Sequence, residues 1–306
     1  MTKLKHHIAA VLCPAARIYV RYGSGLPGRK TFFGRFSWVV KSGQTKTRYG
    51  FRMAFDSRDV IRRTIHWFGV WEPAISEFVA TRLKPSDCFI DVGCNVGYFS
   101  LLAASLIGAG GSVVAIDAST QMGSMLESNR AMNGYNNIQF VHGAVSNEFG
   151  TLILYPGTSG NSGQASVVLN LTGAAGETVK AAPIAHWVKR DIWERARIIK
   201  IDIEGAEGHF MAGLGDGLAS LRPDCEILME LSPAALLIAG YPVNELIETM
   251  ARGGFHAYRI ENRYDDEFYI SPHHNQTLQR LRKTPTEAID VVFSRADSDS
   301  LPLHLL

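Results

Sequence analysis

An α/β fold built on a mostly parallel sheet is predicted by three observations. Residues Cys88 to Ala104, CFIDVGCNVGYFSLLAA, run from a short apolar strand ending in Asp91, through a turn with Gly93, Asn95 and Gly97, into an apolar stretch free of helix breakers. Residues Ile198 to Glu207, IIKIDIEGAE, form a second buried strand ending in acids. Between and beyond these segments, strand-like apolar runs alternate with helical stretches, the order expected of parallel strands joined by crossover helices. The 306 residues suffice for one large α/β domain with extensions or for two small domains, and 46% hydrophobic against 20% charged residues is the balance of a well-cored protein.

Taken in order, residues 1 to about 50 read as an irregular or partly helical extension, interrupted by Gly23, Gly25, Pro27, Gly28 and Gly34. Alternation over Thr47 to Phe55 predicts a short strand. Pro73 suits the first position of a helix over Ala74 to Leu83. Beyond the glycine turn, Ser112 to Ile116 is a strand ending at Asp117. Ser119 or Thr120 can cap a helix to Met132, closed by Gly134. Ile138 to Val141 is the next strand. Thr151 to Tyr155 and Ser166 to Leu171, separated by a Gly/Ser/Asn stretch, read as a hairpin or loop-rich insertion. A helix is expected over Gly205 to Leu221, a strand over Glu226 to Leu231, and a helix over Asn244 to Arg252 ended by Gly253-Gly254. His256 to Ile260 and Ala288 to Phe293 are the last strands. The domain expectation is an N-terminal extension and cap over 1–70 and a main domain over 71–306, with an insertion at about 151–176.

Charge is distributed unevenly. Net charge is +2, yet up to Arg63 fourteen Lys and Arg face only Asp56 and Asp59, a local +12 that leaves −10 for the rest. Such a segment suits an acidic substrate, a membrane surface or a nucleic acid, or docking onto the chain's own acidic part. Its part before Arg48 has too many glycines and too few periodic apolar residues for its own core, and the segment is expected to cover or border the acceptor pocket. Cys13, Cys88, Cys94 and Cys225 form no C-x-x-C pair; two lie in or beside predicted strands and read as small buried hydrophobes, which fits a reducing compartment. No apolar run reaches the roughly 20 residues of a membrane span. Lys3 and Lys5 precede the short apolar run Ile8 to Leu12, which Pro14 interrupts; it reads as mature protein, and the expected location is cytoplasmic.

The chemistry gathers at strand ends, where open parallel sheets bind ligands. The turn is D-x-G-x-N-x-G, which misses the dinucleotide fingerprint G-x-G-x-x-G. Asp91 would repel a pyrophosphate but attract an ammonium, while loop amides face a carboxylate; S-adenosylmethionine carries both groups. Asp117, about 20 residues on, stands where an acid takes ribose hydroxyls, or caps a helix. His142, Gly143 and Ala144 fall where an adenine edge could be read. Asp202 and Glu204, two apart, would share a face of an extended strand and could take a hydroxyl proton, bind a metal, hold the ligand's ammonium or cap the following helix. Arg263 to Glu267 and His273-His274 have no diagnostic metal spacing. A metal held by Asp202 and Glu230 is conceivable, but no metal is assigned.

The segments R-Y-G-F (48–51), G-V-W-E-P (69–73), D-V-G-C-N-V-G-Y-F-S (91–100) and K-I-D-I-E-G-A-E (200–207) resemble the FkbM-type methyltransferases, a class I S-adenosylmethionine-dependent group. The resemblance covers roughly residues 47 to 294. It implies a Rossmann-like seven-stranded, mostly parallel sheet with its last strand antiparallel, and S-adenosylmethionine over Gly93, Asn95 and Gly97, with Tyr98, Gly143 and Ala144 nearby and Asp117 on the ribose. Asp117-Ala118 replaces the family's more usual glutamate-proline, and the family's leucine-aspartate pair is not evident around Ala185 to Trp187. Trp71 and Glu72 are implied to close the active site, with Glu230 a further substrate-side residue. The implied activity is O-methylation of a small molecule, glycan or natural product, with Asp202 the better base and Glu204 beside it. The acceptor is expected to be a small molecule or glycan, inclined towards an acidic one, with no specific nucleic acid. A nicotinamide-dependent oxidoreductase would need G-x-G-x-x-G and a catalytic Tyr/Lys or His/Asp pair, which are not seen. A non-catalytic binding module would keep the fold without turnover.

Overall fold

The structure is a computed structural model that describes residues 14–23, 28–36, 41–158, 160–270 and 277–303. The run Ile8 to Leu12, Cys13 and the pair His273-His274 lie outside them. Among the described residues, fourteen strands and their helices build three sheets around two large hydrophobic clusters and a small third one. Strands β1 (Ser42–Lys46) and β2 (Arg52–Asp56) form an antiparallel hairpin, so the single strand expected over Thr47 to Phe55 is instead a turn followed by β2. The turn closes where Thr47 donates its backbone N–H to Phe51 O. Asn129 and Asn133 fasten β2 to the helix Thr120–Asn133 by accepting from Ala54 N at 2.8 Å and Arg52 N at 2.7 Å.

The main sheet uses β3 (Cys88–Val92), β4 (Ser112–Asp117), β5 (Ile138–His142), β9 (Ala196–Ile201), β10 (Glu226–Leu231), β11 (His256–Ile260), β12 (Thr277–Arg280), β13 (Ile289–Ser294) and β14 (Ser300–Pro302). Their order is β14-β12-β11-β13-β10-β9-β3-β4-β5. Pairings from β5 through β10 are parallel, and β13 runs against both neighbours. The seven strands from β5 to β11 therefore reproduce the expected sheet with its antiparallel late strand. Two more, β12 and β14, extend the edge beyond β11. Alternate side chains feed opposite faces, Phe89 and Ile198 into one cluster and Ile90, Val92, Ile199 and Ile201 into the other, as strand geometry requires.

Helix signals hold where caps are clear. Pro73 begins the helix Pro73–Arg82, and Ser119 Oγ accepts from Met122 N before the helix closed by Gly134 in the left-handed region. The helix expected from Gly205 to Leu221 is instead two short pieces, Glu207–Ala212 and Gly217–Ser220, because Gly213 and Gly215 interrupt it. The insertion also differs. Strand β7 (Gly150–Leu154) pairs antiparallel with β8 (Glu177–Ala182), which also pairs with β6 (Ala144–Val145); Tyr155 and Ser166 make only an isolated bridge. Ser166 Oγ accepts from Val168 N and Leu169 N, a local turn that prevents a strand over Ser166 to Leu171. Cys88, Cys94 and Cys225 are buried and unbridged. Among the described residues no helix is long and apolar enough to cross a membrane.

Candidate active site

From β3 the chain moves outward to β4 and β5, then returns to place β9 on the other side of β3. The reversal leaves a crevice at the carboxyl ends of β3 and β9. A cavity of about 410 Å³ fills it. The site residues singled out from the sequence line that cavity except Asp91, Gly97 and His142. Gly97, at φ 83°, opens the helix Tyr98–Ile107, and a Cβ there would lie 2.2 Å from Leu126 Cδ1. Gly93, at φ 82°, is needed for a different reason than ligand space: a Cβ would stand 1.8 Å from the backbone oxygen of Asp202.

The loop amides are not free to face a ligand carboxylate, as the sequence reading expects. Gly93 N and Cys94 N donate to Ile116 O, Asn95 N to Asp117 Oδ2, Val96 N to Asn95 Oδ1 and Gly97 N to Cys94 O. Anion-binding amides are left to the first turn of the helix Tyr98–Ile107. Asp117 accepts from Asn95 N and Ser119 N, each at 2.8 Å, and burial lifts its carboxyl to about 6. It thus ties the glycine turn to the helix that follows it and keeps further lone pairs for a diol. Asp91 is buried behind the cavity; Oδ2 accepts from Ser100 Oγ at 2.5 Å, while Oδ1 has no partner among the described residues. Gly143 and Ala144 stand at the cavity wall against Trp187, whose Nε1 donates to Ala144 O. His142 is exposed beside Ala118 O and Thr120.

Strand β9 ends at Ile201, before Asp202, and Glu204 adopts φ 52°. Asp202 and Glu204 therefore do not share a strand face as expected. They converge through the turn, and with Glu230 their oxygens lie within 4.8 Å of one another, close enough to bridge a cation. Neither Asp202 nor Glu204 caps the helix Glu207–Ala212, which has no side-chain cap; Glu207 Oε1 instead ties the turn before it, accepting from Ile203 N at 3.0 Å and Gly205 N at 3.4 Å. Burial, then Asp202 and Glu207, raises the Glu204 carboxyl to about 8. Burial, then Asp202 and Asp290, also pushes Glu230 upward.

Two residues emerge that the sequence reading did not weigh. Lys200, buried in β9, places Nζ 2.7 Å from Asp202 Oδ2 and 4.9 Å from the Phe99 ring centre. Burial opposes its charge, but Asp202, Glu72 and Asp91 together hold its ammonium above the usual range. Its place two residues before Asp202, inside an apolar strand, was the available signal. Tyr264 stacks on Trp71 with ring centres 5.5 Å apart and donates its hydroxyl to Glu72 Oε1 at 2.8 Å. Glu72 is 3% exposed at φ 44°, its Oε2 has no partner among the described residues, and burial raises its carboxyl. Arg263 pairs with Asp265, which also caps Phe268 N, so neither is set up as a metal ligand.

A reversed parallel sheet with a glycine turn in its crevice and acids at four strand ends defines a Rossmann-like enzyme of the methyltransferase class, whose cofactor is S-adenosylmethionine. The chain belongs to the Methyltransferase FkbM domain family, which matches residues 91–257, more than half of its 306 residues. No curated protein matches it. Solved structures similar to it include precorrin-6y C5,15-methyltransferase from Geobacter metallireducens GS-15, at 10% identity and TM-score 0.41 over 73% of this chain and 87% of that one. An S-adenosylmethionine-dependent O-methyltransferase from Thermotoga maritima gives 11% identity and TM-score 0.42, over 87% of this chain and 82% of that one. An O-methyltransferase from Bacillus cereus, solved with S-adenosylhomocysteine, gives 13% identity and TM-score 0.38, over 74% and 82% respectively. At such identities no residue role carries over.

Proposed function

We propose that the protein is an O-methyltransferase whose acceptor is a small molecule or glycan presenting a hydroxyl within an uncharged or cationic face. The observation that carries this reading is the group of four carboxyls, Glu72, Asp202, Glu204 and Glu230, around the single ammonium of Lys200 on one cavity wall. An acidic acceptor, towards which the basic N-terminal segment inclined the sequence reading, would find no cation among the cavity's lining residues except Lys200, which is already paired with Asp202. The residues present suit S-adenosylmethionine. Asp117 lines the cavity and has spare lone pairs for its ribose, while Asp91, outside the lining and bonded to Ser100, supports the glycine turn from behind. Gly93, Asn95, Tyr98, Gly143 and Ala144 would wall the nucleoside and methionine portions, with Gly97 setting the helix entry.

The bound cofactor supplies an electrophilic methyl group on a sulfonium. The chain's part is to align the acceptor oxygen and take its proton. Lys200 fixes Asp202 through Oδ2, leaving Oδ1 to orient the acceptor hydroxyl. Glu204, lifted to about 8, takes the proton as the oxygen–carbon bond forms, because a base with that affinity is both ionised in part and strong enough near neutral pH. This exchanges the order of preference between Asp202 and Glu204. Trp71, Glu72 and Tyr264 close the wall over the acceptor. The test is calorimetric titration with S-adenosylmethionine and with NAD, then methyl transfer from labelled cofactor to panels of polyols, amino sugars and sugar acids. Binding of the cofactor with transfer to hydroxyls of neutral or amino sugars supports the reading. Transfer to nitrogen or carbon alone, or preference for sugar acids, refutes the acceptor assignment.

A further inference from the structure

The helical residues 14–22 and the turn between β1 and β2 enclose a second cavity, of about 390 Å³, remote in character from the first. Its charged lining is Arg17, Arg21, Lys46 and Arg48, with no carboxylate among its lining residues. The helix Val60–Phe68 lines the first cavity and is bonded by residues of the second. Val60, Ile61 and Thr64 line the cofactor cavity, whereas the second cavity's arginines bond its last carbonyls. Arg21 donates to His66 O at 2.8 Å and Lys46 O at 2.6 Å, and Arg48 donates to Phe68 O at 2.9 Å. Capping a helix C-terminus accounts for those two cations in part, since the dipole there is worth only about half a charge. It does not account for Arg17, whose one hydrogen bond among the described residues is to His66 Nδ1 at 3.4 Å, nor for Lys46, whose ammonium has no acidic partner among them. Arg21 is 9% exposed and its Nε is buried without a partner among the described residues. Nearby His66 is driven down to about 3 by burial and then by Arg17 and Arg21, as a strongly positive neighbourhood demands.

The rim adds a second kind of observation. Ile18 and Tyr22, one helical turn apart, are 59% and 65% exposed, beside Arg17 and Arg21 at the same spacing. Exposed apolar side chains flanked by cations on one short helix are the pattern of an interfacial element. A soluble phosphate would use the cations but leave Ile18 and Tyr22 without a role. We propose that this cavity binds the phosphate of an anionic phospholipid headgroup, seating the protein on a membrane surface with Ile18 and Tyr22 entering the interface. The cofactor crevice then works beside a bilayer, where an acceptor carried on lipid would be presented to it.

The experiment is co-sedimentation of the full chain with phosphatidylglycerol/phosphatidylcholine vesicles and with pure phosphatidylcholine vesicles, over a salt series. The double variant Arg17→Gln/Lys46→Gln and the variant Ile18→Ser/Tyr22→Ser accompany it, and inorganic phosphate is titrated separately by calorimetry. These side chains are half-buried or exposed, so melting temperature and S-adenosylmethionine affinity should stay unchanged and certify folding. Binding to the anionic vesicles that falls with salt, and about tenfold or more with either double variant, is expected. Equal binding to both vesicle types overturns the proposal, as does undiminished binding by the Arg17→Gln/Lys46→Gln protein. Tight binding of inorganic phosphate, lost in that variant, without vesicle binding assigns the cavity to a soluble phosphate and overturns the lipid source.

Discussion

At Gly93 the missing side chain matters for backbone clearance, so Gly93→Val is a poor probe of the cofactor. Its Cβ would drive into Asp202 O, and we expect a strongly destabilised protein by thermal melting. Asp117→Asn is the sharper substitution, because it keeps the shape while halving the acceptors on a residue that already serves two amides. S-Adenosylmethionine affinity measured by calorimetry should fall about tenfold or more, the usual worth of a hydrogen bond to a charged group. Unchanged affinity would remove Asp117 from the ribose. Glu204→Gln should lower kcat by about 10²-fold with cofactor affinity little altered, in the range for loss of a general base. Retained turnover would return the base role to Asp202. The acids were legible in the sequence because each ends an apolar strand. Tyr264 was not, since it meets Glu72 across 192 residues of sequence. Lys200 stood in plain view, but its meaning depends on β3 and Phe99 packing around it.

Among elements, the helix Pro73–Arg82 is tied to the sheet by a buried charge group. Glu226 Oε2, at the start of β10, receives Arg82 Nε at 3.0 Å and Arg197 NH1 at 2.9 Å, and Arg82 also donates to Leu303 O and Pro302 O. Removing the carboxylate leaves two buried guanidiniums facing each other. Glu226→Ala should therefore cost about 3–5 kcal/mol in urea unfolding. A loss under about 1 kcal/mol would show that water or the remaining carbonyls suffice. This network could not be read in advance because its members come from a helix end, two strands and the strand β14. The parallel strands and capped helices were legible because burial on both faces and cap residues are local signals. The β12 and β14 edge strands and the β7–β8 pairing escaped, being short and chosen by partner rather than by pattern.

Across the whole molecule, the acids of the crevice set a dependence of stability on pH. Glu204 at about 8, Glu207 at about 7 and Asp117 at about 6 all lie above their ordinary carboxyl values. In that window the folded state holds more protons than the unfolded chain, so stability declines as pH rises from about 4.5 to about 8. The melting temperature of the cofactor-free protein should be higher at pH 5 than at pH 8, and Glu204→Gln should flatten the slope. An upward slope over the same range would contradict the burial of these carboxyls. The close crossing of the glycine turn and the Asp202 turn has a different kind of consequence, for anyone who would reshape the acceptor range. Because Gly93 and the Asp202 carbonyl occupy each other's clearance, the two turns must be inherited or transplanted as a matched set. Libraries for new acceptors should diversify Glu204, Glu230 and Tyr264 while holding the crossing constant, and chimaeras whose junctions separate the two turns should be recovered mostly as insoluble protein.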